Sequence, residues 1–306
     1  MNPSLAPVCT RCKSADSVYH RPYSGERLCG RCFSETLVER VKRTINRFNM
    51  LEHDNRVAVG VSGGKDSLTL LTVLHEVEAE WPNSELVAVC VDEGIRGYRD
   101  EALGIAERSC RELGVEMRVV GFRDLFGETM DEIASRDREL GACSYCGVLR
   151  RRALNEAARA VGADRLATGH NLDDMAQTVM LNLLRGDTIR AEGFEPGGRG
   201  LGSYVKRVKP LCEVPERETT FYAYLRGFEL QSVRCPYAGE AMRGDARRFL
   251  NQMEYRRPGT KFIVYQTGLK LASKGEVEVA GLCPLCGSPT SGGVCRVCEL
   301  VGRAKI

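Results

Sequence analysis

Six consecutive residues, Ser62-Gly63-Gly64-Lys65-Asp66-Ser67, constrain this chain more than anything else in it, because of what flanks them. The preceding Arg56-Val57-Ala58-Val59-Gly60-Val61 reads as a buried parallel strand, and the following Leu68-Thr69-Leu70-Leu71-Thr72-Val73-Leu74 reads as a helix. A Gly-Gly turn from strand to helix bares several backbone N–H groups. It also aims the positive end of the helix dipole at one spot, which makes an anion cradle suited to phosphate. Two serine hydroxyls and one lysine add donors and charge. The spacing is not GxxxxGK[ST], so this is not the Walker loop.

The rest of the chain supplies a sheet to carry that turn. Strands are predicted over 57–62, 86–92, 117–121 and 164–168, and helices over roughly 66–80, 99–114, 147–161 and 172–185. Such alternation predicts an α/β fold, a doubly wound parallel sheet with right-handed crossovers. Ligands in such sheets bind at the carboxyl ends of the strands. The cradle lies at one such end, and Val91-Asp92-Glu93-Gly94-Ile95 and Thr168-Gly169-His170-Asn171 are expected to converge on it. The stretch Phe194 to Pro215 is glycine-rich, then basic through Lys206, Arg207 and Lys209, and reads as a mobile loop at the mouth of the site. Helices are expected over 216–228 and 240–256, the second rich in arginine, with a further helical or irregular stretch beyond. Near the start, Glu35 to Leu51 has Leu37, Val38, Val41, Ile45 and Phe48 at helical spacing. Its opposite face carries Arg40, Lys42, Arg43 and Arg47, either a solvated face or a contact for RNA phosphate.

Fourteen cysteines stand in 306 residues, and ten of them form five CxxC pairs. No apolar run reaches 18 residues, and the N-terminus lacks a basic segment followed by an apolar one, so neither a membrane span nor a secretory signal is expected. That context favours metal ligands or reactive thiols over disulfides. Cys9, Cys12, Cys29 and Cys32 form one tetrathiolate pattern, and Cys283, Cys286, Cys295 and Cys298 form another. Each suits a closed, structural zinc site, and segments this short need a metal to fold alone. The expected domains are an N-terminal zinc finger over 1–35, a nucleotide-binding catalytic domain over 36–275 and a C-terminal zinc finger over 276–306. The net charge of +3 permits a polyanionic partner without requiring one.

The fifth pair, Cys143-Ser144-Tyr145-Cys146, precedes a predicted helix, whose dipole favours thiolate. If Cys235 of Cys235-Pro236-Tyr237 folds back onto it, three thiolates face the crevice. Three ligands suit a four-iron cluster with one iron open; a redox dithiol or inert cysteines are the alternatives. Cys90, Cys110 and Cys212 read as small core residues.

SGGxDS is also the pyrophosphate-binding PP-loop of enzymes that adenylate a carbonyl or amide oxygen. Together with CSYCGVLRR, ATGHNLDDMAQTVMLNLLRGD, RCPY and the two terminal cysteine knuckles, in this order over nearly the whole chain, it resembles the archaeal and eukaryotic-type tRNA 2-thiouridine synthetases. That group comprises the cytosolic thiouridylase subunit 1 and thermophile TtuA proteins. The resemblance implies a PP-loop ATPase fold of the HUP-like kind, and a [4Fe-4S] cluster on Cys143, Cys146 and Cys235. It implies ATP-dependent adenylation of the uridine C2 oxygen, then sulfur insertion by a sulfide on the open iron or by a persulfide. The TtuA branch typically has lysine where this chain has Arg150. The sequence CGVLRRRALN is closer to the branch that thiolates wobble uridine 34, with position 54 the alternative. Arginine stays protonated, which leaves Arg150 a charge-stabilising role on phosphate.

On this reading Ser62, Gly63, Gly64 and Ser67 hold phosphate, Lys65 adds charge, and Asp66 holds Mg²⁺ or orients the triphosphate. Backbone at Gly60, Val61 and Val91 meets adenine or ribose, and Gly169 leaves room for nucleotide. Asp174 serves as general acid or base, or as a helix cap, Asp173 as a cap, and His170 as a site residue or a structural hydrogen bond. The implied partners are tRNA, a sulfur donor (a ubiquitin-like thiocarboxylate carrier or free sulfide) and a second copy of the chain, in the cytoplasm and with no membrane. Rival readings are a tRNA lysidine synthetase, a zinc-ribbon RNA-binding protein without catalysis, and a cluster-free thiolase using a cysteine persulfide.

Overall fold

The computed structural model describes residues 7–136, 140–186, 194–198, 204–238, 243–272, 281–290 and 292–302. A hairpin of β1 (Tyr19–Arg21) and β2 (Glu26–Leu28) leads into helix α1 (Gly30–Arg47). The main sheet follows, with five parallel strands: β3 (Arg56–Gly60), β4 (Glu85–Asp92), β5 (Glu116–Gly121), β6 (Arg165–Thr168) and β7 (Lys206–Val208). Their spatial order is β5-β4-β3-β6-β7. The chain winds outward from β3 to one side, then returns to build β6 and β7 on the other. The cradle after β3 therefore sits at the switch point of the topology, where open α/β sheets bind ligands.

Helices cover both faces, which is why the central strand is a continuous apolar run. Val57 and Val59 share a core with Leu68 and Leu71 of α2 (Lys65–Glu78), Ile105 of α3 (Arg99–Leu113) and Met175 of α7 (Leu172–Arg185). Ala58 points the other way, to Ala157 and Ala158 of α6 (Ala142–Ala160). The short helices α4 (Phe122–Phe126) and α5 (Met130–Ser135) bridge β5 and α6. Beyond the sheet come α8 (Glu216–Leu225), then α9 (Arg243–Arg256) and α10 (Thr260–Ala272), both packed on α7. Strands β8 (Gly281–Leu282) and β9 (Pro289–Thr290) and helix α11 (Arg296–Leu300) close the chain, with α11 against α6. Among the described residues, no helix is long and apolar enough to cross a membrane.

The N-terminal segment is welded to the sheet domain rather than tethered to it. Tyr19 lies 4.6 Å from Phe33 and 4.7 Å from Phe221, ring to ring. Glu218 of α8, fully buried, takes Arg21 at 2.9 Å, Arg40 at 3.3 Å and the Tyr23 hydroxyl.

Three expectations change. Helix α6 starts at Ala142, so the fifth CxxC lies within the start of the helix instead of ahead of it. Helix α1 runs from Gly30 to Arg47, not 35 to 51, because Cys29 is its N-cap and Asn49 turns out of it at φ +45°. The stretch 194–215 is not simply a loop. It contains β7, paired in parallel with β6, and Lys209 donates its N–H to Pro196 O at 2.9 Å. Gly198, at φ +62°, lies so close to β7 that a Cβ would fall 1.9 Å from Arg207 O. That glycine permits close packing, whereas Gly200 and Gly202 lie outside the described residues.

Candidate active site

The loop from Gly60 to Ser67 is braced from within. Ser67 Oγ accepts the Ser62 N–H at 3.0 Å, donates to Gly64 O at 2.8 Å and lies 3.1 Å from Ser62 Oγ. Ser67 is buried and locks the turn, while Ser62 is exposed and can meet a ligand. Gly63 cannot be anything else: φ is +79° and a Cβ would stand 2.4 Å from Ala102 O. Gly64 is the N-cap of α2, so the first-turn N–H groups of that helix, at Lys65 and Asp66, open onto the crevice. Gly60 lies at the strand end, 3.5 Å from Ala167 O measured to an added Cβ. Val61 donates its N–H to Val89 O at 2.9 Å and accepts the Cys90 thiol at 2.8 Å, so its main chain is already engaged. Val91 has its side chain buried. A Cβ at Gly169 would lie 3.1 Å from the Asp66–Ser67 peptide, so the glycine lets β6 and the loop approach closely.

Charged groups ring this cradle. Asp66 Oδ1 accepts Asn171 Nδ2 at 3.1 Å and Thr219 Oγ1 at 2.5 Å, and its Oδ2 takes Lys65 Nζ at 2.7 Å. Lys65 also reaches Glu216 at 3.0 Å. Burial would lower the Lys65 pKa, but these two carboxylates outweigh it and raise it. Asp174 forms a capping box with Asn171 at the start of α7 and meets Arg243 at 3.2 Å. Burial raises its pKa, and Arg243 only partly opposes the rise, as suits a carboxyl group that exchanges a proton. Asp173, by contrast, pairs with Lys261 inside the protein and accepts the Glu216 N–H at 2.8 Å, capping α8 rather than its own helix. His170 Nδ1 lies 2.9 Å from Thr168 Oγ1, the structural hydrogen bond that was one of its two readings.

Cysteines lie beside the same crevice. Cys143 sits in the first turn of α6 and Cys146 opens the second, and the segment bearing Cys235 crosses this helix start, with the Cys143 thiol donating to Tyr237 O at 3.2 Å. Cys146 and Cys235 share an apolar cluster with Tyr98 and Val91. Burial raises the Cys146 pKa although the helix dipole and Arg150 favour thiolate. Cys146 and Cys235 in that apolar cluster, with Cys143 bonded to Tyr237 beside it, offer three thiolates, the donor set of an iron–sulfur cluster, which holds its thiolates further apart than a single ion does. They do not close to the spacing of the two knuckles. There, Cys9, Cys12, Cys29 and Cys32, and likewise Cys283, Cys286, Cys295 and Cys298, have all four sulfurs within 4.8 Å of one another. That spacing fits one tetrahedral ion each.

One residue joins the two halves of the site. Glu93, 2% exposed at the end of β4, meets Arg99 at 3.0 Å and Arg150 at 2.7 Å. Arg99 donates to Ser62 O at 3.1 Å, and Arg150 to Cys146 Sγ at 3.1 Å. Sequence reasoning placed Glu93 at a strand end facing the crevice but gave it no role. It missed Arg99 and Thr219, which no motif marks. Asn171 reads there only as part of a strand end and Arg243 only as part of an arginine-rich helix, although an Asn ahead of Leu-Asp-Asp is a helix-start signal.

Comparison with known proteins agrees with this geometry. Residues 35–231 match the PP-loop domain family, and residues 8–34 match the N-terminal LIM domain of the 2-thiouridine synthetase TtuA. The tRNA 2-thiolation protein NcsA of Haloferax volcanii is 37% identical over 96% of this chain and 98% of its own. The cytoplasmic tRNA 2-thiolation protein 1 of Bos taurus is 41% identical over 97% of this chain and 87% of its own. The solved structure of the U34-tRNA thiolase NcsA from Methanococcus maripaludis, with its [4Fe-4S] cluster, superposes with a TM-score of 0.85. It is 34% identical, covering 97% of this chain and 96% of that one.

Proposed function

This chain belongs to the PP-loop family of tRNA 2-thiolation proteins, and from that premise we propose that it is a tRNA uridine 2-sulfurtransferase acting at wobble position 34. ATP places its phosphates on the N–H groups that open α2, with Ser62 and Lys65 as further donors. Lys65 exchanges a carboxylate for phosphate as the nucleotide arrives, and Asp66 turns to Mg²⁺. Adenylation converts the uridine C2 oxygen from a poor leaving group into AMP, and pyrophosphate departs into the loop. Asp174 handles the proton. Cys143, Cys146 and Cys235 would hold the [4Fe-4S] cluster, which supplies an open iron able to carry sulfide. Each terminal knuckle holds a structural zinc, and residues 1–35, 36–275 and 276–306 form the N-terminal finger, the catalytic domain and the C-terminal finger. Sulfur comes from a thiocarboxylate carrier or free sulfide, and the enzyme works in the cytoplasm as a homodimer.

The observation that carries this reading is the convergence of a phosphate cradle and three cysteines at one end of one sheet, linked through Glu93. Arg150 in place of lysine, and the U34 activity named for the Methanococcus maripaludis relative, support position 34. The test is anaerobic incubation of the reconstituted protein with ATP, Mg²⁺, sulfide and unmodified tRNA, followed by nucleotide analysis and mass mapping of the RNA. AMP, pyrophosphate and 2-thiouridine at position 34 are expected. ADP as product, or tRNA left unmodified, would overturn the activity, and sulfur at position 54 would overturn the site assignment.

A further inference from the structure

A cavity of about 800 Å³ opens beside the crevice, walled by α6, the ends of β6 and β7, the start of α9 and the C-terminal knuckle. Arg151, Arg207, Lys209 and Arg243 line it together. Elsewhere arginines of this protein meet glutamates, as Arg108 does Glu229 and Arg47 does Glu213. Among the described residues, neither Arg151 nor Arg207 has a carboxylate partner. Their side chains donate to backbone oxygens, Arg151 to Gly147 at 2.9 Å and Arg207 to Arg151 at 3.3 Å. The Arg207 Nε is buried with no acceptor at all.

This concentration of charge is costly in the unliganded protein. Burial, with Arg151 adding to it, lowers the Arg207 pKa to about 10. Burial lowers Lys209 to about 8, with Arg207 adding to it and Cys212 and Glu195 opposing it. Enclosure and all four cations together hold His170, on the cavity wall, neutral with a pKa of about 3. Glu195 and Glu299 also line the wall and Arg243 meets Asp174, but Arg151 and Arg207 keep their charge without a carboxylate, and such like charges relax when an anion enters. The ATP phosphates already have their own cradle at the head of α2. The cavity wall adds flat surfaces that a simple phosphate would not need. Tyr204 lines it, with the Arg152 guanidinium 5.9 Å from its ring centre, and His170 presents a neutral ring. Guanidiniums for a backbone and aromatic faces for bases are how proteins hold single-stranded nucleic acid.

We propose that this cavity seats a single-stranded stretch of the RNA substrate, with a phosphodiester on Arg151, Arg207 and Arg243 and a base against Tyr204. The inference rests on the tRNA-modifying reading above and gives the C-terminal knuckle a task. Pro289, Thr290, Val294 and Arg296 form the outer wall of the cavity, and Arg152 donates to Ser288 to fix the knuckle to α6. The cavity is also next to the chemistry, because Arg243 spans from it to Asp174.

The test measures binding of unmodified tRNA by the anaerobic holoenzyme across a salt series, for the parent, Arg151→Gln and Tyr204→Ala, with ATP affinity measured alongside. Arg151 is exposed, so its replacement leaves packing intact, and a thermal melt checks both variants. Arg151→Gln is expected to weaken tRNA binding several-fold and to reduce the slope of log K against log salt by about 1. Tyr204→Ala is expected to weaken binding about tenfold with the slope unchanged, as lost stacking does. ATP affinity should stay within twofold in both. Parent-like tRNA affinity and slope in both folded variants would overturn the proposal, as would a loss confined to ATP, which marks a nucleotide phosphate site. A parent that binds tRNA yet never thiolates it, with both variants impaired, sinks the assigned activity and leaves the RNA site standing.

Discussion

At the scale of single residues, Glu93 carries the most consequence for its size. One buried carboxylate compensates Arg99, 4% exposed, and Arg150, which is about half exposed. The two pairs are therefore unequal: water screens Arg150, while Arg99 depends on Glu93 for its charge balance. Glu93→Gln leaves Arg99 as an uncompensated buried cation and should cost about 3–5 kcal/mol of stability. It should also release Arg99 from Ser62 O, loosening the phosphate cradle, so ATP affinity falls as well. Urea unfolding and nucleotide titration of the same variant check both parts. A variant within 1 kcal/mol of the parent would mean that Arg99 finds another partner, and the bridge would lose its structural importance. The sequence could place Glu93 at a strand end, but nothing in it could foretell which arginines would come to it from residues 99 and 150.

At the scale of elements, what was legible follows from how much signal each element carries. Helix α7 ends where its pattern ends, because an Asn cap, two acidic residues in the first turn, an apolar stripe and Gly186 in the left-handed region all agree. The strand β7 was invisible for the opposite reason: Lys-Arg-Val has one buried side chain and no alternation to read. The start of α6 was missed because Cys143 and Cys146 suggest a metal turn before they suggest a helix. The two knuckles look alike in sequence and differ in the structure. Tyr19, Leu28 and Phe33 of the first belong to the main core, whereas the buried core of the second is its own Cys283, Cys295 and Cys298. Metal should therefore matter unequally. In Cys283→Ser, residues 281–302 should lose hydrogen-exchange protection throughout, while in Cys9→Ser the hairpin and α1 should keep most of theirs. Equal loss at both ends would show that the aromatic contacts of Tyr19 do not hold the first knuckle without its ion.

At the scale of the whole molecule, the winding of the sheet decides which chemistry can be separated from which. Outward winding from β3 puts Glu93 and Arg99 on one flank of the cradle, and the return through α6 to β6 brings the fifth CxxC to the same flank. Asp174 and Arg243 come from the other side of the switch point, and the basic cavity lies between that side and α6. On the proposed function, adenylation draws on the head of α2 and the start of α7, while the sulfur chemistry hangs on the start of α6 and the segment around Cys235. The path between them runs from Cys146 through Arg150, Glu93 and Arg99 to Ser62, and Cys235 stands beyond its far end. Cys235→Ala should consequently still convert ATP to AMP and pyrophosphate when tRNA is present, because the activated uridine is lost to water, yet yield no 2-thiouridine. Asp66→Asn, which strikes the cradle itself, should abolish both. Nucleotide chromatography and nucleoside mass spectrometry on one reaction read the two outcomes together. If Cys235→Ala stopped AMP formation while keeping its fold, the cysteine site would be a precondition for adenylation. The division of labour drawn from the winding would then be wrong.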